Sequence, residues 1–282
     1  MKTRDVSGAV RAHPYLAILR TRFRSRIQYR TAAFAGIVTQ FFWGFIRIMI
    51  LEAFYRSGGE PSVLSFREAV AYVWLGQAFL GLLPWNIDPE IANMIGTGNV
   101  AYELLRPVDL YTIWFVRTIA WRVANTLLRC VPLLLFAFLV LPLIGLDSWA
   151  LMLPPTAGAG FAFVASLILA VFLGAGLTTL SQVSLFWTIS GRGLINLMGP
   201  MIMICSGMVV PLPLFPTWSQ PIFRALPFHA IVDAPFRIYS GNIVGTELAT
   251  VFVLQVVWIV AYIVVGKRLM AKGSRRLVVQ GG

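Results

Sequence analysis

Apolar positions along this chain fall into long blocks instead of alternating with polar ones. A block of about 18 such residues crosses a hydrocarbon core of about 30 Å as a helix. The first block runs from about Ala32 to Tyr55 and the second from about Phe66 to Trp85, with Gly58, Gly59 and Pro61 in the loop between them. A polar, glycine-bearing stretch, 86–107, follows. From Val108 a helical pattern continues to about Leu141, roughly 50 Å at about 1.5 Å per residue. That exceeds the bilayer, so Arg117 and Arg122 are expected on an extension, with the hydrocarbon portion beginning near Trp121. A fourth block lies within Thr156 to Trp187, and its small residues Gly158, Gly160, Ala165, Gly174 and Gly176 permit close helix approach. A tight basic turn at 190–193 leads to a short fifth block, 194–210, interrupted by Gly199-Pro200. Pro211, Pro213, Pro216, Pro221, Pro227 and Pro235 break the apolar segment 211–245 into pieces too short to cross. Broken backbone at membrane depth must be buried in protein or face water, so this segment predicts an outer re-entrant or interfacial helical hairpin. The sixth block spans about Thr246 to Val265, and a tail, 266–282, follows.

Ahead of the first block, Tyr15, Leu19, Phe23 and Ile27 recur at i, i+4 within Pro14 to Arg30, flanked by Arg20, Arg22, Arg24, Arg26 and Arg30. This is the pattern of a helix lying on an anionic leaflet, and it serves equally as a positive-inside anchor. Six crossings put both termini on one side. Lys2, Arg4 and Arg11 add to the N-terminal cluster, and Lys267, Arg268, Lys272, Arg275 and Arg276 occupy the tail. The loop after the third block has no basic residue. Both termini are therefore expected in the cytoplasm, with 86–107 on the same side and the proline-rich hairpin outside. The chain is 58% apolar and only 12% charged, against about a quarter charged in soluble domains. Its net charge of +12 is explained by orientation and anionic headgroups, not by nucleic acid. No cleavable signal peptide is apparent; the basic, polar start suits an uncleaved anchor.

The absent chemistry narrows the function. All acidic residues stand at block ends, in loops or in the tails, which argues against proton coupling through a mid-membrane carboxylate. The lysines are Lys2, Lys267 and Lys272, none in the G-x-x-x-x-G-K-[ST] context that cradles phosphate. No Ser or His constellation suggests hydrolysis. Cys130 and Cys205 lie in apolar segments, and His13 and His229 stand far from any ligand cluster, so no metal site is expected. No catalytic residue and no cofactor are therefore expected in this chain. A transport scaffold powered by another subunit remains, or a structural membrane protein.

Polar residues inside the blocks are candidates for a pathway or an interface. Gln40 and Arg47 are seven apart and share a face with Trp43 and Gly44. A charge such as Arg47 is costly there, and Glu52 or Glu68 is its expected partner. Gln77 on the second block joins them, as do Thr178, Thr179, Ser181 and Gln182 on the fourth, although interhelical hydrogen bonds alone would explain most of these. Arg122, Asn125 and Arg129 form one stripe on the third block, read as helix packing or headgroup contact.

One segment points further. Gly98-Asn99-Val100-Ala101-Tyr102-Glu103-Leu104-Leu105-Arg106-Pro107 resembles the G-x-x-x-Y-x-L-L-R-P signature of bacterial type-2 (ABC-2) ABC transporter permeases. The resemblance is to the six-span subgroup often encoded as paired permeases beside one ATPase. The pieces around Pro213, Pro216 and Trp218, then Pro227 and Phe228, with Pro235 and Gly241 after them, resemble that subgroup's outer re-entrant segment. The ending Val279-Gln280-Gly281-Gly282 resembles its C-terminus, so the resemblance covers essentially the whole chain. It implies an all-α polytopic fold: one permease domain, 1–282, of six transmembrane helices with an N-terminal interfacial helix, a coupling helix and the outer hairpin. By the same resemblance the protein sits in the bacterial inner membrane and dimerises with an identical or paralogous permease over two ABC ATPase subunits, which carry the ATP and Mg. Pro89 to Pro107 would be the coupling helix that docks on the ATPase. The residues suit that role. Pro107 stops one helix and starts the next, and Gly96 and Gly98 allow a sharp reversal. Glu103 and Arg106 offer charged contacts, and Tyr102, Leu104 and Leu105 an apolar anchor. The expected function is ATP-driven export of an amphipathic, drug-like, peptide or lipid-like substrate; the alternative is a non-transporting membrane scaffold.

Overall fold

The computed structural model describes residues 14–27, 30–57, 63–105, 107–188 and 192–276. Among them every regular element is a helix. Four helices are long and apolar enough to cross a membrane. They are α2 (Arg30–Arg56), the continuous rod of α6 (Leu110–Leu135) with α7 (Leu141–Leu143), α8 (Ala157–Ser184) and α12 (Gly245–Gly273). Between α6 and α7 the rod widens into one π turn, Phe136–Val140. Pro132 and Pro142 flank that turn, and each removes a helix donor.

The other two expected crossings are shorter. The second is α3 (Phe66–Ala78), 13 residues, and the fifth is α9 (Arg192–Cys205), 14 residues, each about 20 Å long. Helix length therefore carries four crossings, not six. Local chemistry explains the shortening of α3. Its start is fixed by a capping box, in which the Ser65 hydroxyl accepts from the Glu68 amide and the Glu68 carboxylate accepts from the Ser65 amide. Its end is set by Pro84: the preceding Leu83 is extended, φ −65° and ψ 132°, as a residue before proline prefers. One 3₁₀ turn, Leu80–Leu82, intervenes. α9 contains Pro200 and runs into a reversal at Gly207, φ +82°, where a residue with a Cβ would be strained.

Although short, α3 is central. Every residue from Ala69 to Ala78 is buried among α2, α6 and α11 (Asp233–Tyr239). Glycines permit close approaches: Gly44 of α2 admits the Trp74 ring, and Gly176 of α8 admits Tyr262 of α12. Gln255, fully buried on α12, donates to the Ser166 and Ala230 carbonyls at 3.1 and 2.8 Å and so joins α12, α8 and the turn before α11. The proline-rich segment folds inward. Pro213, Pro227, Phe228 and Pro235 are buried, whereas Pro216 and Trp218 beside α10 (Gln220–Ala225) are exposed. Buried Asp233 accepts from the Tyr72 hydroxyl at 3.1 Å and the Leu212 amide at 3.3 Å, tying this segment to α3.

At the opposite end, α1 (Pro14–Ile27) packs along α6, with the Asp109 amide donating to the Tyr15 hydroxyl at 3.2 Å. The 86–107 stretch forms two short helices, α4 (Pro89–Gly96) and α5 (Val100–Leu104). Asp88 caps α4 ahead of Pro89 at its first turn. Gly98 supplies the reversal between them at φ +76°; Gly96 closes α4.

Candidate functional site

The α4–α5 loop is held by an ion cluster. Arg117 of α6, with its side chain only 3% exposed, reaches three carboxylates: Glu90 at 2.9 Å, Asp88 at 3.2 Å and Glu103 at 3.3 Å. The Trp114 indole N–H also donates to Glu103 at 2.9 Å. From α1, Arg22 makes a two-pronged contact with Glu90 at 2.5 and 2.9 Å. Hydrogen bonding to Glu90 holds the Arg22 guanidinium above its ordinary pKa, against the opposing effect of burial. One arginine thus fixes α4 and α5 to α6, and a second fixes α4 to α1. Nearby, Asp109 caps α6 and pairs with Lys267 of α12 at 3.3 Å. Burial pushes its carboxyl up, but the Thr112 hydroxyl and amide and Lys267 together hold it below the usual range.

The cluster decides which way the loop's side chains point. Glu103 is turned inward, contrary to its expected availability as a surface contact, because Trp114 and Arg117 claim both carboxylate oxygens. Tyr102 and Leu105, by contrast, are 72% and 81% exposed, and Leu104 is exposed as well. The tip is therefore an apolar projection on a charged strut. Pro107 is exposed in the link to α6; Arg106 lies outside the described residues.

A second arginine centre lies one and a half turns further along α6. Arg122 is fully buried and enclosed by protein, which is the helix-packing alternative and not headgroup contact on an extension. Its guanidinium donates to the carbonyls of Leu82 and Leu83, each at 2.8 Å, to that of Gly81 at 3.2 Å, and to the Thr178 hydroxyl. These carbonyls are the ones that the Pro84 break strips of helical partners. Gly174 makes the approach possible: a Cβ there would stand 2.8 Å from the Leu82 oxygen. Arg129, the third member of that stripe, lays its guanidinium over Gly36 of α2.

Between α2, α3 and the end of α9 lies a cavity of about 530 Å³. Its walls are apolar apart from Arg47 and Gln77, and they include Trp43, Trp85 and Met208. Arg47 does not pair with Glu52 or Glu68 as expected. Glu52 is taken by Arg56 and the Trp149 indole, and Glu68 by its capping box and Asn242. Arg47 instead donates through one nitrogen, Nη2, to the Met208 and Val209 carbonyls at 2.5 and 2.6 Å.

With this geometry in hand, the comparison with family models is decisive. Residues 41–281 match the model described as an ABC-2 family transporter protein. The chain belongs to that family. No curated protein matches it. The ABC-2 transporter protein is thus an integral membrane protein, the permease component of an ABC transporter.

Of the permease's pathway candidates, Trp43, Arg47 and Gln77 meet at the cavity. Gln40 and Gln182 do not. Both are buried side chains without a hydrogen-bond partner among the described residues. Thr179 is buried and spends its hydroxyl on the Ala175 carbonyl of its own helix at 2.8 Å. The partners of two anchoring arginines are not assigned from sequence. Arg117 had a signal, three acidic residues in the loop and one arginine early in the next helix. Arg122 had a weaker one, the Leu83-Pro84 step that leaves carbonyls without partners.

Proposed function

We propose that this permease exports an amphipathic substrate, driven by ATP hydrolysis on separate ABC ATPase subunits that dock on the α4–α5 loop. The observation that carries this reading is the apolar tip, Tyr102, Leu104 and Leu105, held out from α6 by the Arg117 cluster. An exposed apolar projection on a soluble-facing loop calls for a partner, and its rigid mounting suits transmission of partner motion to α6. In this reading α3 with its 3₁₀ extension and the short α9 complete six crossings with the four long helices. Both termini then lie in the cytoplasm of a bacterial cell, and 86–107 faces the ATPase. Two permeases, identical or paralogous, sit over two ATPase copies, and ATP and Mg bind there. The proline-rich segment lies toward the outside.

Affinity purification of the tagged chain from its native cells tests the docking. The wild type is expected to bring an ATPase with it. Leu105→Asp and Tyr102→Asp should each reduce that recovery about tenfold, as loss of an apolar anchor does, without shifting the unfolding temperature, because both side chains are exposed. Undiminished recovery in the double variant would sink the docking assignment. A wild-type chain that repeatedly comes alone would favour the scaffold reading.

A further inference from the structure

The cavity beside α2 has a chemistry of its own. Its lining is apolar, its volume of about 530 Å³ falls in the range of small-molecule sites, and two polar side chains enter it. Arg47 is the informative one. Among the described residues no carboxylate pairs with it, and its partners are two neutral carbonyls. Both bonds use Nη2, so Nη1 and Nε make no hydrogen bond among the described residues. A guanidinium inside an apolar block without a counter-charge is costly, and a ligand that brings an anion relieves that cost with a charge-assisted contact. Gln77, also buried, has no hydrogen-bond partner among the described residues and adds a neutral donor and acceptor. The margin is open: Trp43, Ile50, Val209 and Val210 line the cavity and are exposed on the chain's apolar flank.

We propose that this cavity is a binding site for an acidic amphiphile, with its carboxylate or phosphate on Arg47 and its chain along Trp43, Trp85 and Met208. The proposal rests on the export reading and gives that reading a substrate class. Arg47 lies 17 positions into α2 by number, about 25 Å along the helix from Arg30, so with cytoplasmic termini the site belongs to the outer half of the membrane. There it would hold cargo before release. Because Arg47 also secures the Met208 and Val209 carbonyls, an anion competing for it would loosen the link between α2 and the end of α9.

Tryptophan quenching tests this with the full chain in phosphatidylcholine nanodiscs. The probes are brominated dodecanoate, its alcohol and its trimethylammonium analogue. Dodecanoate should quench saturably and bind about tenfold more tightly than the other two, the equivalent of one charge-assisted hydrogen bond. Arg47→Gln should abolish the preference, and Arg47→Lys should keep most of it. Trp43→Phe with Trp85→Phe should remove the saturable quenching. Equal quenching by all three probes, or an acid preference that survives Arg47→Gln, overturns the proposal. Discs containing phosphatidylglycerol separate the sources. Competition assigns the site to an acidic phospholipid headgroup, and its absence to a single-chain acid; both retain the proposed chemistry. Loss of acid preference with intact ATPase recovery would refute the cavity alone. Loss of docking with the preference intact would refute the export reading alone.

Discussion

Arg117 and Arg122 lie five positions apart on one helix, are equally buried, and are satisfied in opposite ways. Arg117 gathers three carboxylates, one of which it shares with Arg22. Arg122 gathers three carbonyls and a hydroxyl, and among the described residues has no counter-charge. The difference follows from what each neighbourhood can supply. Arg117 faces a polar loop, where Asp88 and Glu90 are cheap to place because water reaches their outer faces, and only Glu103 is buried. Arg122 faces the interior, where a carboxylate would add a second desolvation penalty, but where a broken helix end already presents oxygens in need of donors. Charge pairing thus mounts the α4–α5 loop, while charge capping permits a helix to stop inside the bundle.

The sharpest way to break that comparison is Arg122→Met. It fills much of the volume but leaves the Gly81, Leu82 and Leu83 carbonyls without donors. At about 1–3 kcal/mol for each orphaned buried group, with partial relaxation, a loss of roughly 3 kcal/mol or more is expected. It should appear as a large drop in unfolding temperature in detergent. Arg122→Lys should recover only part of this, because an ammonium cannot span three carbonyls as a planar fork does. A near-neutral Arg122→Met would mean that water caps the α3 end and that the arginine is dispensable.

Arg117→Met should follow in size. Glu103 would stay buried with only the Trp114 indole for company, and breaking a buried pair by removing one partner costs about 3 kcal/mol. Asp88 and Glu90 can turn to solvent, so about 2 kcal/mol is expected. Unlike Arg122→Met, this change should also loosen the tip. Limited proteolysis within 97–107 should accelerate in Arg117→Met and not in Arg122→Met. If both variants cut alike, the cluster is not what holds the loop.

How much of this was legible in the sequence depends on whether the information is local. The long apolar blocks became α2, the α6–α7 rod, α8 and α12 because length and composition suffice for them. The start of α4 is equally local, since Asp88 caps it and Pro89 takes its first turn. The helices α3 and α9 are shorter than the apolar blocks that contain them, since apolar character continues past Pro84 and Gly207 although the helix does not. The orientation of Glu103 was out of reach: on a single-turn helix, which residue turns inward is decided by Trp114 and Arg117 on another element. The same holds for Arg47. Its nearest carboxylates in sequence were plausible partners, but each had a better one, and the carbonyls that it meets come from residues more than 150 positions away.

The smallest effect is expected at the margin of the cluster, where Arg22 meets Glu90. The geometry is two-pronged, yet the side chains are 38% and 48% exposed, so screening and side-chain entropy should reduce the pair to about 0.5–1 kcal/mol. Glu90 is shared with Arg117, however, so the two arginines should not act independently. A double-mutant cycle of Arg22→Gln with Arg117→Met isolates that coupling. If Glu90 is a true bridge, removing Arg117 leaves it more dependent on Arg22, and the cost of Arg22→Gln rises in the Arg117→Met background. If the costs simply add, Arg22 and Arg117 hold Glu90 independently. Raising salt refines the distinction. Stability lost through Arg22→Gln should shrink toward zero near 1 M salt, where the Debye length is about 3 Å, whereas the loss from Arg117→Met, which is shielded from ions, should persist.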